Sequence, residues 1–194
     1  MSELSRGRWP VILTSGDITL QPLRLRDRKQ WNLVRNINRE WLAPWEATLP
    51  NVPGEDSFTD LPTFFHMVSA HNREGRAGRS ISLTIWFQDR LVGQITMGGI
   101  IFGALRGAHI GYWIDNRYAN QGITTKVVEM LTRYGFDVLF LHRIEINLRP
   151  ENSASRRVAE KSGYHLEGER PRFLHIDGQW RDHLCFVREN PEVS

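Results

Sequence analysis

Cysteine is almost missing: the single Cys185 among 194 residues cannot close an internal disulfide. Flanked by Leu184 and Phe186, it reads as a small strand or core residue rather than a nucleophile. The chain is therefore expected to be cytoplasmic. Long apolar runs are missing too, and a stretch such as "GGIIFGAL" falls far short of the ~20 residues of a membrane span. The opening "MSELSRGRWPVILTSG" has no long apolar segment after its charges, so no signal peptide is expected. The seven His lack metal-ligand spacing such as His-Glu-x-x-His, and His66 and His71, five apart, read as helix-surface residues. No metal is expected. Bases are missing from residues 40–60, which hold five acids, whereas residues 1–39 hold eight Lys/Arg against three Asp/Glu. An acidic loop in a chain of net charge +3 suits a cationic substrate, or is a solvated linker.

What is there describes an ordinary globular chain, with 40% hydrophobic and 24% charged residues, and its length suits one domain over residues 1–194. Alternation in "DITLQPLRLRD" predicts a strand over 17–26, and Trp31, Val34 and Ile37 a helix ending near Asn38. Ser57 and Asp60 resemble a capping box before a helix whose face is Leu61, Phe64, Phe65 and Val68, with Pro62 in its first turn. "RSISLTIWFQ" and "LVGQITMGGIIF" read as strands joined at Asp89-Arg90, and "GAHIGYWID" as a central strand. An amphipathic helix over 122–138, an alternating strand "HRIEINLR" and a short helix stopped at Gly163 follow. The chain closes on a hairpin around Asp177-Gly178 with strands of about eight to ten residues. This order predicts an α+β domain: a mixed sheet of about seven strands with flanking helices.

One stretch carries chemistry. "RYANQGITTKVVEML", residues 117–131, sets a turn with little side-chain bulk at the head of a helix. Helix N-termini offer unpaired N–H groups and roughly half a positive charge, so an open one is an anion site. Gly122 permits close approach, and Asn120 tolerates left-handed backbone. Neither a Gly-Lys-Ser/Thr nor a three-glycine dinucleotide fingerprint is present, so a nucleotide loop of either kind is excluded.

Arg117 to Gly122 resembles the Arg/Gln-x-x-Gly-x-Gly/Ala signature of the GNAT superfamily of N-acetyltransferases, with Asn120 where the first glycine stands. Asn152, Ser155 and Gly163-Tyr164 match its second signature in order and spacing. "LHIDGQWRDHL" (174–184) and "LAPWE" (42–46) are similar to the branch of RimJ/RimL-type ribosomal-protein-alanine N-acetyltransferases. The resemblance implies a mostly antiparallel twisted sheet whose central strands splay to admit acetyl-CoA. It implies that the amides of Asn120, Gln121, Gly122, Ile123 and Thr124, with Arg117, hold the pyrophosphate. Backbone of Tyr112, Trp113 and Ile114 would bond pantetheine, with Asn152 on the other side.

Transfer needs a neutral amine and a proton for the departing thiolate. Many members of the superfamily carry a Tyr seven residues after the Asn as the acid, but Ala159 stands there; the resemblance to the RimL-type branch implies Ser155, at the matching motif position, as the acid instead. Glu46 is the first candidate for base or amine anchor, and Glu145 the second. The resemblance implies a protein N-terminus as acceptor, a small-subunit ribosomal protein among the candidates, with nucleic acid met only through the ribosome. Two alternatives stay open: a small amine (polyamine, antibiotic or aminoacyl compound), and a non-catalytic CoA-binding module on ribosomes or RNA.

Overall fold

The computed structural model describes residues 9–52 and 63–193. In chain order the strands are β1 (Leu13–Ser15), β2 (Ile18–Gln21), β3 (Ile81–Phe87), β4 (Arg90–Ile101), β5 (Gly107–Ile114), β6 (Arg143–Leu148), β7 (His165–Ile176) and β8 (Gln179–Glu189). The helices are α1 (Arg28–Ile37), a single turn α2 (Arg39–Leu42), α3 (Phe64–Arg76), α4 (Ile123–Arg133) and α5 (Ser153–Lys161). Among the described residues the strands form one sheet in the order β1-β2-β3-β4-β5-β6-β8-β7, with β5 and β6 its only parallel neighbours. This is the mixed, mostly antiparallel α+β fold expected, with eight strands rather than seven. The additional strand is β1, whose three residues are too short to show alternation.

Local chemistry explains where other boundaries move. The strand predicted over 17–26 ends at Gln21, because Pro22 has no N–H for the ladder. Asp27 then accepts the Arg24 N–H at 2.9 Å and curls residues 25–27 into the start of α1. The β3–β4 turn falls on Gln88 and Asp89, both at positive φ, not on Asp89-Arg90. Asp177 and Gly178 turn the last hairpin as predicted, but its strands run to twelve and eleven residues. The helix over 122–138 changes to wider i→i+5 bonding after Arg133, with the Leu139 N–H on the Tyr134 carbonyl at 3.3 Å. The Ser57–Asp60 capping box, with Leu61 and Pro62, lies outside the described residues. The described helix starts on Thr63, whose hydroxyl accepts from the His66 N–H, and it leaves Phe65 exposed.

Successive strand side chains point to opposite faces, and the core divides accordingly. Ile85, Val92 and Ile110 join α4 residues Val127, Val128 and Leu131 in the main core. Leu91, with Trp86 and Trp113, packs with Trp31, Val34 and Val68 from α1 and α3. Helices therefore cover both faces. On α1 the predicted stripe misplaces one residue: Ile37 is exposed, while its neighbour Asn38 is buried. The Asn38 side chain bonds the Val34 carbonyl and accepts the Asn116 N–H, each at 2.9 Å, tying α1 to the turn after β5.

Candidate active site

β5 and β6 pair only at Gly107–His109 against Arg143–Glu145. Beyond that they part: β5 continues to Ile114 on β4, and β6 to Leu148 on β8. The splay expected of central strands is present, and it leaves one backbone edge of residues 111–114 facing a gap. A cavity of about 1000 Å³ occupies this gap. Its lining comes from both faces of the sheet: Gly122, Asn152 and Ser155 on the α4–α5 side, Arg35, Glu46 and Trp113 on the α1 side.

The turn into α4 is built to stay bare. Gly122 caps the helix at φ 78°, and Asn120 stands at φ 60°. A Cβ on Gly122 would meet no heavy atom within 4 Å, so the approach is open. The first helical amide to find a carbonyl is Lys126, which donates to Gly122 at 3.0 Å. The Ile123 side chain is buried in the core, leaving only its backbone for a ligand. Asn120, Gly122 and Thr124 line the cavity, as does Thr125, which motif spacing does not single out. Arg117 and Gln121 do not line it. The Arg117 guanidinium holds the fully buried Asp115 carboxylate at 2.5 Å, and Gln121 donates to the Arg117 carbonyl at 3.0 Å.

That ion pair sets the turn. Burial opposes charge on Asp115, but hydrogen bonds from Arg117 and Asn38 prevail and lower its pKa. A depressed native pKa contributes stability that is present above about pH 4 and lost as pH falls through the native value. Asp115→Ala is expected to cost about 1–3 kcal/mol at pH 7, because the part-buried Arg117 N–H loses its acceptor. Denaturant unfolding of both proteins checks this, and their difference should shrink below about pH 4.

Across the gap, Asn152 caps α5 by accepting the Ser155 N–H at 3.0 Å. Its carbonyl oxygen is thereby engaged, leaving its NH₂ for another partner. Ser155 Oγ lies 2.9 Å from the Tyr112 hydroxyl. Burial pushes the Tyr112 pKa up to about 12, although the bond to Ser155 opposes it. Tyr112 therefore stays protonated at neutral pH and can orient the serine. Only its backbone was singled out by sequence; the hydroxyl contact joins residues 43 apart and leaves no local signal. Ala159 is completely buried, so that position faces the core and not the cavity.

On the other side Glu46 lines the cavity in an ion pair with Arg35, whose guanidinium lies 5.1 Å over the Trp113 ring. The segment around Glu46 is clamped to the final hairpin. Ala47 bridges Ile176, the Thr48 N–H bonds the His175 carbonyl at 2.9 Å, and the Asp177 N–H bonds the Glu46 carbonyl at 3.3 Å. Thr48 Oγ1 meets His175 Nδ1 at 2.8 Å and accepts the Gly178 N–H at 3.0 Å. The hairpin tip thus has a physical task, to hold the Glu46 wall. Arg149 adds to it, donating to the Pro44 carbonyl at 2.7 Å and stacking on Trp45. Glu145 is elsewhere. It lies between Arg143 and Arg170, each at 2.9 Å, and does not line the cavity. Burial opposes its charge, but the hydrogen bonds from those arginines and Asn147 lower its pKa. No group of His, Cys, Asp and Glu among the described residues is arranged to hold a metal ion, and no described helix is long and apolar enough to cross a membrane.

A splayed pair of strands, an open helix N-terminus beside it and a cavity through the sheet define a CoA-dependent acyltransferase site. Residues 17–165 match the acetyltransferase (GNAT) domain, and the chain belongs to this family of acetyl-CoA-dependent N-acetyltransferases. Among relatives, the [Ribosomal protein uS5]-alanine N-acetyltransferase of Escherichia coli is 26% identical over 174 residues, 87% of this chain and 86% of that one. The probable N-acetyltransferase YjcK of Bacillus subtilis is 42% identical over 104 residues, 54% of this chain and 58% of that one. The structure of Mycobacterium smegmatis RimJ in complex with CoA-disulfide superposes with a TM-score of 0.80 at 35% identity, covering 91% of this chain and 83% of that one.

Proposed function

We propose that the chain transfers the acetyl group of acetyl-CoA to the α-amino group of a protein N-terminus, alanine first among residues, in a ribosomal or other cytoplasmic protein. The observation behind this reading is the cavity through the sheet, with a proton donor on one face and a carboxylate on the other. The relationship to the uS5-alanine enzyme and to RimJ supports the acceptor class.

The bare amides of residues 122–125 fit a pyrophosphate, and the free edge of residues 111–114 fits the pantetheine arm. Acetyl-CoA supplies a thioester carbonyl; the amine nitrogen forms a bond to its carbon as the carbon–sulfur bond breaks. A β5 N–H aimed at the carbonyl oxygen stabilises developing charge, an effect of about 2.7–4 kcal/mol. Ser155 Oγ, oriented by Tyr112, gives its proton to the departing sulfur and is reprotonated from solvent, while the proton the amine loses passes to Glu46. An α-amino group has a pKa of about 7.7–8.0, so much of it is neutral near pH 7.5, whereas lysine at about 10.4 is not. A weak base suffices, which suits a carboxylate already paired with Arg35.

Glu46→Gln is expected to lower kcat/KM for a peptide amine more at about pH 6.5 than at about pH 9, where the amine is already neutral. Steady-state rates at both pH values check it; an equal loss would assign Glu46 to anchoring alone. Mass spectrometry of whole-cell protein N-termini, with and without the chain, should show one or a few Ala-starting proteins losing their acetyl group. No change at any N-terminus would reject the acceptor class.

A further inference from the structure

The acidic segment around residue 46 suggests a cation site, but the cavity itself has another character. Glu46 is neutralised by Arg35, and Glu151 is paired with Arg149 at 3.2 Å. Among the described lining residues no carboxylate is left unpaired, while Arg35, Arg157 and Lys161 all face the same space. With Arg35 and Glu46 cancelling each other, Arg157 and Lys161 remain as lining cations with no ion pair among the described residues, so the described lining offers a polyamine no free carboxylate.

Arg35 is placed by α1. Trp31, one turn earlier, is buried and meets Trp113 edge-on at 5.4 Å, and Val34 is buried beside it. The guanidinium then lies over the Trp113 ring, a cation–π contact that fixes its plane. It has five N–H donors, and its one hydrogen bond among the described residues goes from Nη2 to Glu46 Oε1. Its side chain is 31% exposed, so the remaining donors are accessible from the cavity. Trp113 belongs to the β5 stretch that borders the splay, so on the acetyl-transfer reading these donors face the part of the cavity where an amine would meet the thioester. Donors of that kind need an oxygen acceptor close to the amine.

We infer that Arg35 selects acceptors whose amine is adjacent to a carbonyl, the α-aminoacyl arrangement of a protein N-terminus, and that it excludes polyamines. The inference rests on the acetyl-transfer reading above and narrows its acceptor. Arg35 accepts no proton and forms no bond to the reacting atoms; its planar fork grips the carbonyl oxygen one bond beyond the α-carbon. Glu46 keeps that fork in place and stands beside the ammonium that must lose its proton.

Three acceptors test this with the full chain and acetyl-CoA: alaninamide, a fluorinated alkylamine of similar basicity without a carbonyl, and spermidine. After correction for the neutral fraction, alaninamide should exceed both others in kcat/KM by at least about tenfold, the scale of one charged hydrogen bond. Arg35→Gln should shrink that preference by roughly 10- to 100-fold, mainly through KM for alaninamide, and Arg35→Lys, which lacks the fork, should fall between. Acetyl-CoA affinity of each variant, by calorimetry, shows that the fold and donor site persist. Equal use of spermidine or the alkylamine by the parent protein overturns the inference without any mutant. So does an undiminished preference in Arg35→Gln. Acetyl-CoA binding without turnover of any acceptor would instead reject the transfer reading, and the selection by Arg35 with it.

Discussion

Gly122→Asp is expected to abolish acetyl-CoA binding. The residue caps α4 at φ 78°, and the space where its Cβ would stand is empty to 4 Å. A carboxylate built there enters the place where the exposed amides of residues 122–125 would receive a pyrophosphate. Two like charges about 4 Å apart cost about 4 kcal/mol at an effective dielectric near 20. That is roughly a thousandfold in Kd. Part of any loss could come from backbone strain, since a side chain at positive φ is disfavoured. Gly122→Asn separates the two causes, because Asn has the size of Asp, tolerates the left-handed region and has no charge. Calorimetry should find Gly122→Asn far closer to the parent than Gly122→Asp. Equal affinities for the two variants would remove the charge argument.

Ser155→Ala is expected to reduce kcat by roughly 10- to 1000-fold, within or just below the range of general-acid catalysis. A thiolate with a pKa near 8.5 is a fair leaving group near pH 8, so the effect is moderate and not absolute. Acetyl-CoA affinity should change little, since one neutral hydrogen bond contributes about 0.5–1.5 kcal/mol. Tyr112→Phe should give a smaller loss of kcat, because it removes the contact that orients Ser155 and leaves the donor in place. The Tyr112 pKa near 12 means that neither the parent nor Ser155→Ala should show a Tyr112 limb in a pH–rate profile below about pH 11. Moving the acid to the position used by relatives is not open to this chain. Ala159 is fully buried, and a tyrosine there would overpack the core. Parent-level turnover by a folded Ser155→Ala would mean that the proton comes from elsewhere.

Much of this was legible in the sequence because it is local. Alternation in "HRIEINLR" places Ile144, Ile146 and Leu148 inside, and the structure buries all three. The bare turn at 120–124 is a matter of residue type, and Asn120 and Gly122 adopt the positive φ that their chemistry permits. What was not legible comes from residues far apart in the chain. The Tyr112–Ser155 contact spans 43 positions, and the Thr48–His175 contact spans 127. No period or spacing encodes either. Arg35 reads in sequence as one more base on a basic helix; only the fold brings Glu46 and Trp113 to it. The same pairing changes the meaning of the acidic segment, since a carboxylate counted as free charge in sequence is neutralised in the site. Glu145 lies outside the cavity lining for a related reason that spacing does not encode: Arg143, on the same strand, and Arg170, on β7, hold its carboxylate.

The central claim, acetyl transfer to a protein α-amine, is tested most directly by one peptide. It should start with alanine, carry one internal lysine, and be incubated with the purified chain and acetyl-CoA at about pH 7.5. Tandem mass spectrometry then locates the acetyl group. A single acetyl on the α-amine, formed catalytically and lost in Gly122→Asp, is the expected result; acetylation of the lysine alone, or of neither amine while acetyl-CoA binds, would contradict it.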